Sequence, residues 1–429
     1  MAAELHLPHQ LTGANKSLTA QCHCKSVHFI VTVPTSALPL PVHLCHCRIC
    51  RYTHGTLCTF HAPLPKGIEP QFIAPSSIAS SLTGYTHAGA AAERFFCRTC
   101  GCHVGDRNLK PDPETGKPEW HVATSIFSSH GEDTFQIRTH IFTNSAGGTD
   151  GPNLAAWLPR INNRNMHIWN PAPNDPKYPL SPSPPSSSPT EQSGSKGEKE
   201  KDTSRLQAQC HCAGISFTIP RPTASESTDP FLSRFLHITP TPTIANEPTP
   251  QEAGHQETAK RVATLCLCAD CRLTSGAHAV PWTFVPRGGI RPRLPADLAG
   301  DDGYGTLRTY RSSDRVTRGF CRVCGATALY MVDDPERVAA ASGEGKAGEE
   351  DAAVVDVAVG LLRSSEGEGE GGPAAEGWLA WRTGRLAGWE TGREFDAGFA
   401  EGLQDGLGQW ARKRYGRVED FEIPKQVAE

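Results

Sequence analysis

Apolar residues along this chain come in short runs, not at helical spacing. "HFIVTV" (28–33), "WHVATSIF" (120–127), "FQIRTHIF" (135–142) and "ISFTI" (215–219) are rich in β-branched and aromatic side chains and are bounded by Gly, Pro and polar residues. That is the signature of short strands. "DAAVVDVAVGLL" (351–362) reads as one more. Helical periodicity emerges only at "FAEGLQDGLGQWARKR" (399–414), where the glycines argue against a long helix. The pattern predicts a mainly β protein.

The pattern breaks at residues 171–205, "PAPNDPKYPLSPSPPSSSPTEQSGSKGEKEKDTSR", which is rich in Pro, Ser and charge and has almost nothing to bury. This is linker composition, predicted to be disordered. Cutting there exposes an internal repeat. The first part reads Cys22-His-Cys24, Cys45-His-Cys47-x-x-Cys50 and Phe96-Cys97-x-x-Cys100-Gly101. The second reads Cys210-His-Cys212, Cys266-Leu-Cys268-x-x-Cys271 and Phe320-Cys321-x-x-Cys324-Gly325. Other residues keep step: Arg51 with Arg272, Gly55 with Gly276, Leu82 and Tyr85 with Leu307 and Tyr310, and Arg94 with Arg318. A tandem duplication is expected, with domains at 18–170 and 206–420. The stretch from Cys210 to Cys266 is much longer than that from Cys22 to Cys45, because a Pro/Thr-rich insertion at about 221–260 intervenes. It is predicted to loop from the surface, and the Gly/Glu-rich stretches at 341–350 and 363–377 read as disordered surface.

The cysteines decide the chemistry. Of the sixteen, the repeat places seven in each part in tight C-x-C and C-x-x-C groups, which accounts for all but Cys58 and Cys102. Such clustering favours metal over disulfides. Residues i and i+2 of a strand face the same way, so each C-x-C pair is expected to aim two sulfurs at one point from a strand. C-x-x-C-G is a zinc-knuckle turn whose glycine takes positive φ. Joining first and last pairs gives Cys22, Cys24, Cys97 and Cys100, and likewise Cys210, Cys212, Cys321 and Cys324. A closed four-thiolate set has no vacancy and reads as structural zinc. Cys45, Cys47 and Cys50, like Cys266, Cys268 and Cys271, remain as three-thiol sets, the arrangement of a catalytic zinc with one exchangeable position.

Charge and hydropathy narrow the classes. The net charge is −4, which points to no nucleic-acid-binding surface. "MAAELHLPHQLTGANKS" lacks the apolar core of a secretory signal, and no run approaches the roughly 18 apolar residues of a membrane span. The expected setting is soluble and intracellular, in the cytoplasm, with the nucleus as the alternative.

The sequence C-x-C…C-H-C-x-x-C-R…F-C-x-x-C-G resembles the glutathione-dependent formaldehyde-activating enzyme family, which also includes the centromere protein V domain. The resemblance implies two zinc-stabilised Mss4-like (β-tent) domains joined by the Pro/Ser-rich linker, with two zinc ions in each. It implies a carbon–sulfur lyase that condenses glutathione with formaldehyde to S-hydroxymethylglutathione, and reverses it. Cys22, Cys24, Cys97 and Cys100 would be structural ligands, and Cys45, Cys47 and Cys50 the catalytic zinc site where the glutathione sulfur is expected. The alternative is a non-catalytic zinc-binding interaction module of centromere protein V type. Thiol redox chemistry at C-x-x-C is disfavoured because ligand counting already explains these cysteines.

The remaining candidates carry open alternatives. His46 is a catalytic candidate as fourth ligand or outer-shell donor, or it is a plain turn residue pointing away from the metal. The second copy has Leu267 in its place, so the first copy is expected to be the active one and the second a binding or scaffolding duplicate. Arg51 and Arg272 either hold a glutathione carboxylate or form structural ion pairs. Cys58 and Cys102 read as buried small residues, and His43, His54, His103 and His121 as ordinary histidines. Tyr85, Tyr310, Trp157, Trp169, Trp389 and Trp410 read as packing residues. The partner is a small thiol or aldehyde.

Overall fold

The computed structural model describes residues 14–172, 175, 204–239, 258–295, 298, 303–332, 353–364 and 372–423. Most of the 171–205 segment, and residues 240–257, 341–350 and 365–371 of the insertions, lie outside them.

Strands dominate. The first half opens with the antiparallel hairpin Asn15–Gln21 and His28–Pro34, to which Gln71–Phe72 adds a third strand. Its main sheet runs, in spatial order, His167–Trp169, Phe135–Ile141, Leu40–Cys45, Thr59–Pro63, Pro118–Ala123, His103–Pro111, Ala92–Cys97 and Leu82–Tyr85. The second half has the hairpin Arg205–Gln209 and Ser216–Pro220. Its main sheet runs Leu236–Thr239, Thr258–Cys266, Val280–Pro286, Val354–Ala358, Thr327–Val332, Val316–Cys321 and Leu307–Ser313. From the strand that ends at Cys45 or Cys266 to the strand that ends both sheets, the order of strands is the same. In each half a further strand lies parallel to that cysteine-bearing strand: Phe135–Ile141 in the first and Leu379–Trp381 in the second. The strands read from the apolar runs are all present.

Both halves bury their apolar faces in one continuous cluster, in which Phe29, Phe60 and Trp157 join Phe217, Trp381 and Phe399. Trp157 lies 4.8 Å from Trp381 and 5.5 Å from Trp410, ring centre to ring centre. The strand-ending aromatics Phe96 and Phe320 meet edge to face at 6.5 Å. Gly101 (φ +79°) packs on the Phe320 ring and Gly325 (φ +80°) on Phe96, where any Cβ would come within 3 Å of the ring. The knuckle glycines therefore serve a turn and a close approach at once.

Three expectations need correction. The insertion at 221–260 does not loop freely over its described part. Ala224–Thr228 is helical, and Leu236–Thr239 adds an antiparallel strand beside Thr258–Cys266. The stretch carries groups worth burying: Phe235 packs with Val262 and Phe284, and Glu226 forms a two-pronged ion pair with Arg261 (2.7 and 3.2 Å). In the 363–377 stretch, Ala374 and Ala375 are fully buried, and Glu376 receives bonds from Arg414 and Tyr415. Third, Ala397–Tyr415 is an unbroken 19-residue helix despite its glycines, capped by Asp396 at its start and Gly416 (φ +76°) at its end. Gly398, Gly402 and Gly406 recur every fourth residue on one face. A Cβ there would stand 2.4 Å from Asn162 Nδ2, 2.6 Å from the Arg160 carbonyl oxygen and 2.2 Å from that of Trp157. The glycines admit the backbone of the other half against the helix.

Candidate metal centres

Two closed sets of four thiols form as the spacing predicts. Cys22, Cys24, Cys97 and Cys100 lie with every sulfur within 4.8 Å of the others, and so do Cys210, Cys212, Cys321 and Cys324. Neighbouring sulfurs stand 3.5 Å apart at Cys22–Cys24 and Cys24–Cys97, and 3.4 Å apart at Cys212–Cys321. That is far beyond a disulfide bond and close to the ~3.8 Å edge of a tetrahedron built on Zn–S bonds of about 2.3 Å. Amides turn towards the sulfurs: Val27 N donates to Cys22 Sγ (3.4 Å), Ile215 N to Cys210 Sγ (3.3 Å) and Cys324 N to Cys321 Sγ (3.4 Å). These groups fit zinc. The route differs from expectation, because the C-x-C pairs sit in the hairpin turns just past Gln21 and Gln209 and not within strands. Positive φ at Lys25 and Ala213 closes those turns and brings both sulfurs to one side.

The three-thiol sets are built from a strand end and a helix start. Cys45 ends its strand, and Cys47 caps the helix Arg48–His54, its sulfur accepting the Cys50 amide at 3.4 Å. Cys266, Cys268 and Cys271 repeat this on the helix Ala269–Ser275, with Cys271 N to Cys268 Sγ at 3.4 Å. Gly55 (φ +72°) and Gly276 (φ +77°) end the two helices. Among the described residues no fourth Cys, His, Asp or Glu joins either set. Cys45, Cys47, Cys266 and Cys268 keep partial exposure, whereas Cys50 and Cys271 are buried.

One thiol of each set is held well below its ordinary value. The Cys45 and Cys50 thiols do this for Cys47, with the Arg94 cation adding to it. Cys266 and Cys268 do it for Cys271, with Arg318 adding. Arg318 Nη1 donates to Cys271 Sγ at 3.4 Å. Burial opposes the charge of Arg94, but Asp106 and the thiols of Cys50 and Cys47 outweigh it and raise its affinity for the proton. Asp106 is in turn fixed by His61 Nδ1 at 3.0 Å.

Each three-thiol set is bordered by a histidine from the other half. His211 N donates to the Tyr52 carbonyl at 3.0 Å, one turn past Cys47, and its Nδ1 meets the Tyr85 hydroxyl at 2.7 Å. Reciprocally, His23 N donates to the Leu273 carbonyl at 3.1 Å, and its Nδ1 meets the Tyr310 hydroxyl at 2.9 Å. His23 Nε2 also lies 3.3 Å from Asp270 Oδ1, where the first half has Ile49.

Two expected roles fail. His46 is fully buried, turned away from the thiols, with Nε2 2.9 Å from His140 Nδ1. His140 Nε2 donates to the Leu158 carbonyl, which makes its Nδ1 the acceptor from His46. Set between Cys45 and Cys47, His46 points inward and joins no group of metal-ligating atoms among the described residues. Arg51 is 1% exposed, and its guanidinium is spent on the carbonyls of His46 and Ser145, both at 3.2 Å. It cannot reach a glutathione carboxylate. Arg272 likewise donates to the Ser125 carbonyl and lies over the Phe395 ring at 3.6 Å.

Cys58 and Cys102 are buried outside the metal sets, and His54 stacks on His103 at 3.6 Å. His43 and His121 join no ligand group. Tyr85 and Tyr310 are not plain core aromatics, since each hydroxyl is engaged across the halves. The residues that sequence reasoning missed are Arg94, Arg318, His23 and His211. One signal was present: the residue inside the C-x-C pair is histidine in both copies, an identity that ligand counting does not explain.

Among the described residues no helix is long and apolar enough to cross a membrane. No curated protein matches the chain. Residues 17–145, which carry both cysteine sets of the first half, match the family model described as "Glutathione-dependent formaldehyde-activating enzyme", and the chain therefore carries a domain of that family there.

Proposed function

We propose that the chain is a zinc-dependent carbon–sulfur lyase of the glutathione-dependent formaldehyde-activating type. It forms or cleaves a thiol–aldehyde adduct at its three-cysteine sites, Cys45, Cys47 and Cys50 and their counterparts Cys266, Cys268 and Cys271. We read it as a duplication of Mss4-like domains, 18–170 and 206–420, joined by the 171–205 linker. The same strand order and the same two cysteine sets in both halves support this. The observation that carries the function is a partly exposed three-thiol set with no fourth protein ligand among the described residues, inside the matched region.

Zinc bound by those thiols supplies the positive charge that keeps a substrate thiol deprotonated near neutral pH. The protein does the rest. Three thiolates around a divalent ion leave a net negative charge, and Arg94 or Arg318 beside them offsets it, which favours the approach of a fourth, anionic sulfur. In the forward direction the glutathione sulfur bonds to the formaldehyde carbon. The carbonyl oxygen becomes a hydroxyl and takes up the proton that the thiol gave away. His211, held by the Tyr85 hydroxyl, and His23, held by the Tyr310 hydroxyl and Asp270, are the hydrogen-bonding groups that this reading assigns to that oxygen.

The preference for the first copy rested on His46 and on the longer insertions of the second copy, and His46 does not face the thiols. The second set has a matching arginine, tyrosine and histidine, so both sets are proposed to be competent. The test is the rate of S-hydroxymethylglutathione formation above the uncatalysed reaction. Cys47→Ser and Cys268→Ser are each expected to remove part of it, and the double variant nearly all. Zinc binding without any acceleration by the wild type would reject the lyase and favour the non-catalytic module.

A further inference from the structure

One more group of ligand-bearing side chains converges, away from the cysteines. His130, His278 and Asp396 each place one ligand atom within 4.8 Å of the others. His130 comes from the first half, His278 and Asp396 from the second. His130 is 6% exposed and His278 2%.

The hydrogen bonding leaves this group unfinished. Asp396 Oδ1 accepts the Phe399 amide at 2.9 Å, which caps the Ala397–Tyr415 helix, while Oδ2 stands 2.8 Å from His130 Nδ1. That approach lacks the alignment of a hydrogen bond, and both ring nitrogens of His130 are buried without one. His278 Nε2 lies 3.0 Å from Thr124 Oγ1. The threonine hydroxyl has one proton, which it gives to the Phe60 carbonyl at 3.3 Å, so it accepts from His278 Nε2–H. This fixes the tautomer and leaves the Nδ1 lone pair of His278 buried without a partner. An unmet buried polar atom costs about 1–3 kcal/mol, and here one ring nitrogen from each histidine lies within 4.8 Å of a carboxylate oxygen.

A metal ion would take up one ring nitrogen of each histidine together with the carboxylate. A histidine whose far N–H is held by a neighbour is the usual support of a ligating imidazole. Phe60 stacks on His278 at 4.6 Å and Phe135 on His130 at 5.1 Å, with Phe395 and Phe399 also against the rings, so an apolar shell surrounds the polar centre. Burial keeps His278 neutral, the form that binds metal. Arg272 is a cation felt at His278, and its guanidinium is drawn onto Phe395 and the Ser125 carbonyl.

We propose that His130, His278 and Asp396 hold a divalent transition-metal ion of the zinc class, a nitrogen–oxygen site separate from the cysteine sites that staples the two halves together. Two imidazoles and one carboxylate suit Zn²⁺, Co²⁺ or Fe²⁺ and are poor for Ca²⁺ or Mg²⁺, which prefer all-oxygen sets. The burial assigns it a structural role.

The experiment is Co²⁺ reconstitution of the full-length, metal-stripped protein under reducing conditions, followed by absorption and metal content. Cobalt on cysteine gives sulfur-to-metal charge transfer in the near ultraviolet, and cobalt on nitrogen and oxygen does not. The wild type is expected to bind one equivalent beyond those that produce charge transfer. Asp396→Asn keeps the helix cap and is expected to lose at least tenfold in affinity for that equivalent, with the thiolate bands unchanged. Thr124→Val is expected to weaken it about tenfold by releasing the His278 ring. Equal metal content in wild type and Asp396→Asn, all of it giving charge transfer, would overturn the proposal. Circular dichroism establishes that each variant is folded, and if Thr124→Val is not, Asp396→Asn alone decides.

Discussion

Arg51 and Arg94 are both arginines with counterparts in the second half, Arg272 and Arg318, yet their surroundings give them opposite work. Arg51 holds two carbonyls in the interior, whereas Arg94 sets its charge beside Cys47 and Cys50. Arg94→Gln is expected to lower kcat/KM at the first site by 10- to 100-fold with the first closed cysteine set still metal-bound; unchanged kinetics in a Cys268→Ser background would refute that role. His46→Leu, which copies Leu267, is expected to keep zinc content and turnover and to cost about 1 kcal/mol, because His140 Nδ1 loses its donor. A collapse of turnover in a folded His46→Leu protein would restore His46 to the chemistry. Burial also depresses His103 and His140 to about 4. The unfolded chain titrates near 6.5, so as pH falls from about 6.5 towards 4 it takes up protons that the folded chain refuses. Each residue's contribution is complete above that window and lost across it, on the order of 2–3 kcal/mol apiece by its acid end. Urea midpoints should therefore drop between pH 7.5 and 5.5 while zinc content holds, and a flat profile would contradict the assignment.

At the scale of elements, ligand pairs were legible because each is written locally. C-x-C in a hairpin turn and C-x-x-C-G at a strand end need only a few residues of chain to aim two sulfurs. The long helix was not legible, because its glycines answer to a surface 240 or so positions earlier in the sequence. In isolation a mid-helix glycine costs roughly 0.5–1 kcal/mol against alanine. Here Gly406 lets the helix close on the Trp157 carbonyl, and a Cβ would sit 2.2 Å from it. Gly406→Ala is therefore expected to destabilise by about 2 kcal/mol or more despite its better helix propensity. Gly408 meets nothing nearer than 3.7 Å, and Gly408→Ala should stabilise by up to about 1 kcal/mol. Thermal midpoints of the two variants check this. Equal shifts of the same sign would show that propensity, not the interface, governs the helix.

For the whole molecule, the halves are coupled at their centres and not through the linker alone. The turn that carries Cys22 and Cys24 presents His23 to the other half's open set, and the turn with Cys210 and Cys212 returns His211. Beyond the histidine shared by both C-x-C pairs, nothing local in the sequence marks these partners, since Tyr85 and His211 stand in different halves and each looks like an ordinary aromatic. The consequence concerns what happens when the chain is divided. A first half expressed alone would expose Phe96, the Trp157 face and the aromatic floor under His278, and would lack His211 beside Cys50. Residues 14–172 by themselves are therefore expected to be insoluble or loosely packed and to have lost at least tenfold in turnover. Supplying residues 204–423 in trans should recover both the fold and the rate, because the halves touch directly, through side chains and backbone, and not through the 171–205 segment. Full-length His211→Gln separates packing from chemistry: it should leave the melting temperature within a few degrees while reducing the rate contributed by the Cys45 site, as measured in a Cys268→Ser background. A first half that is monomeric, folded and fully active alone would show that the reciprocal histidines are packing residues, and that the second copy is dispensable to the first.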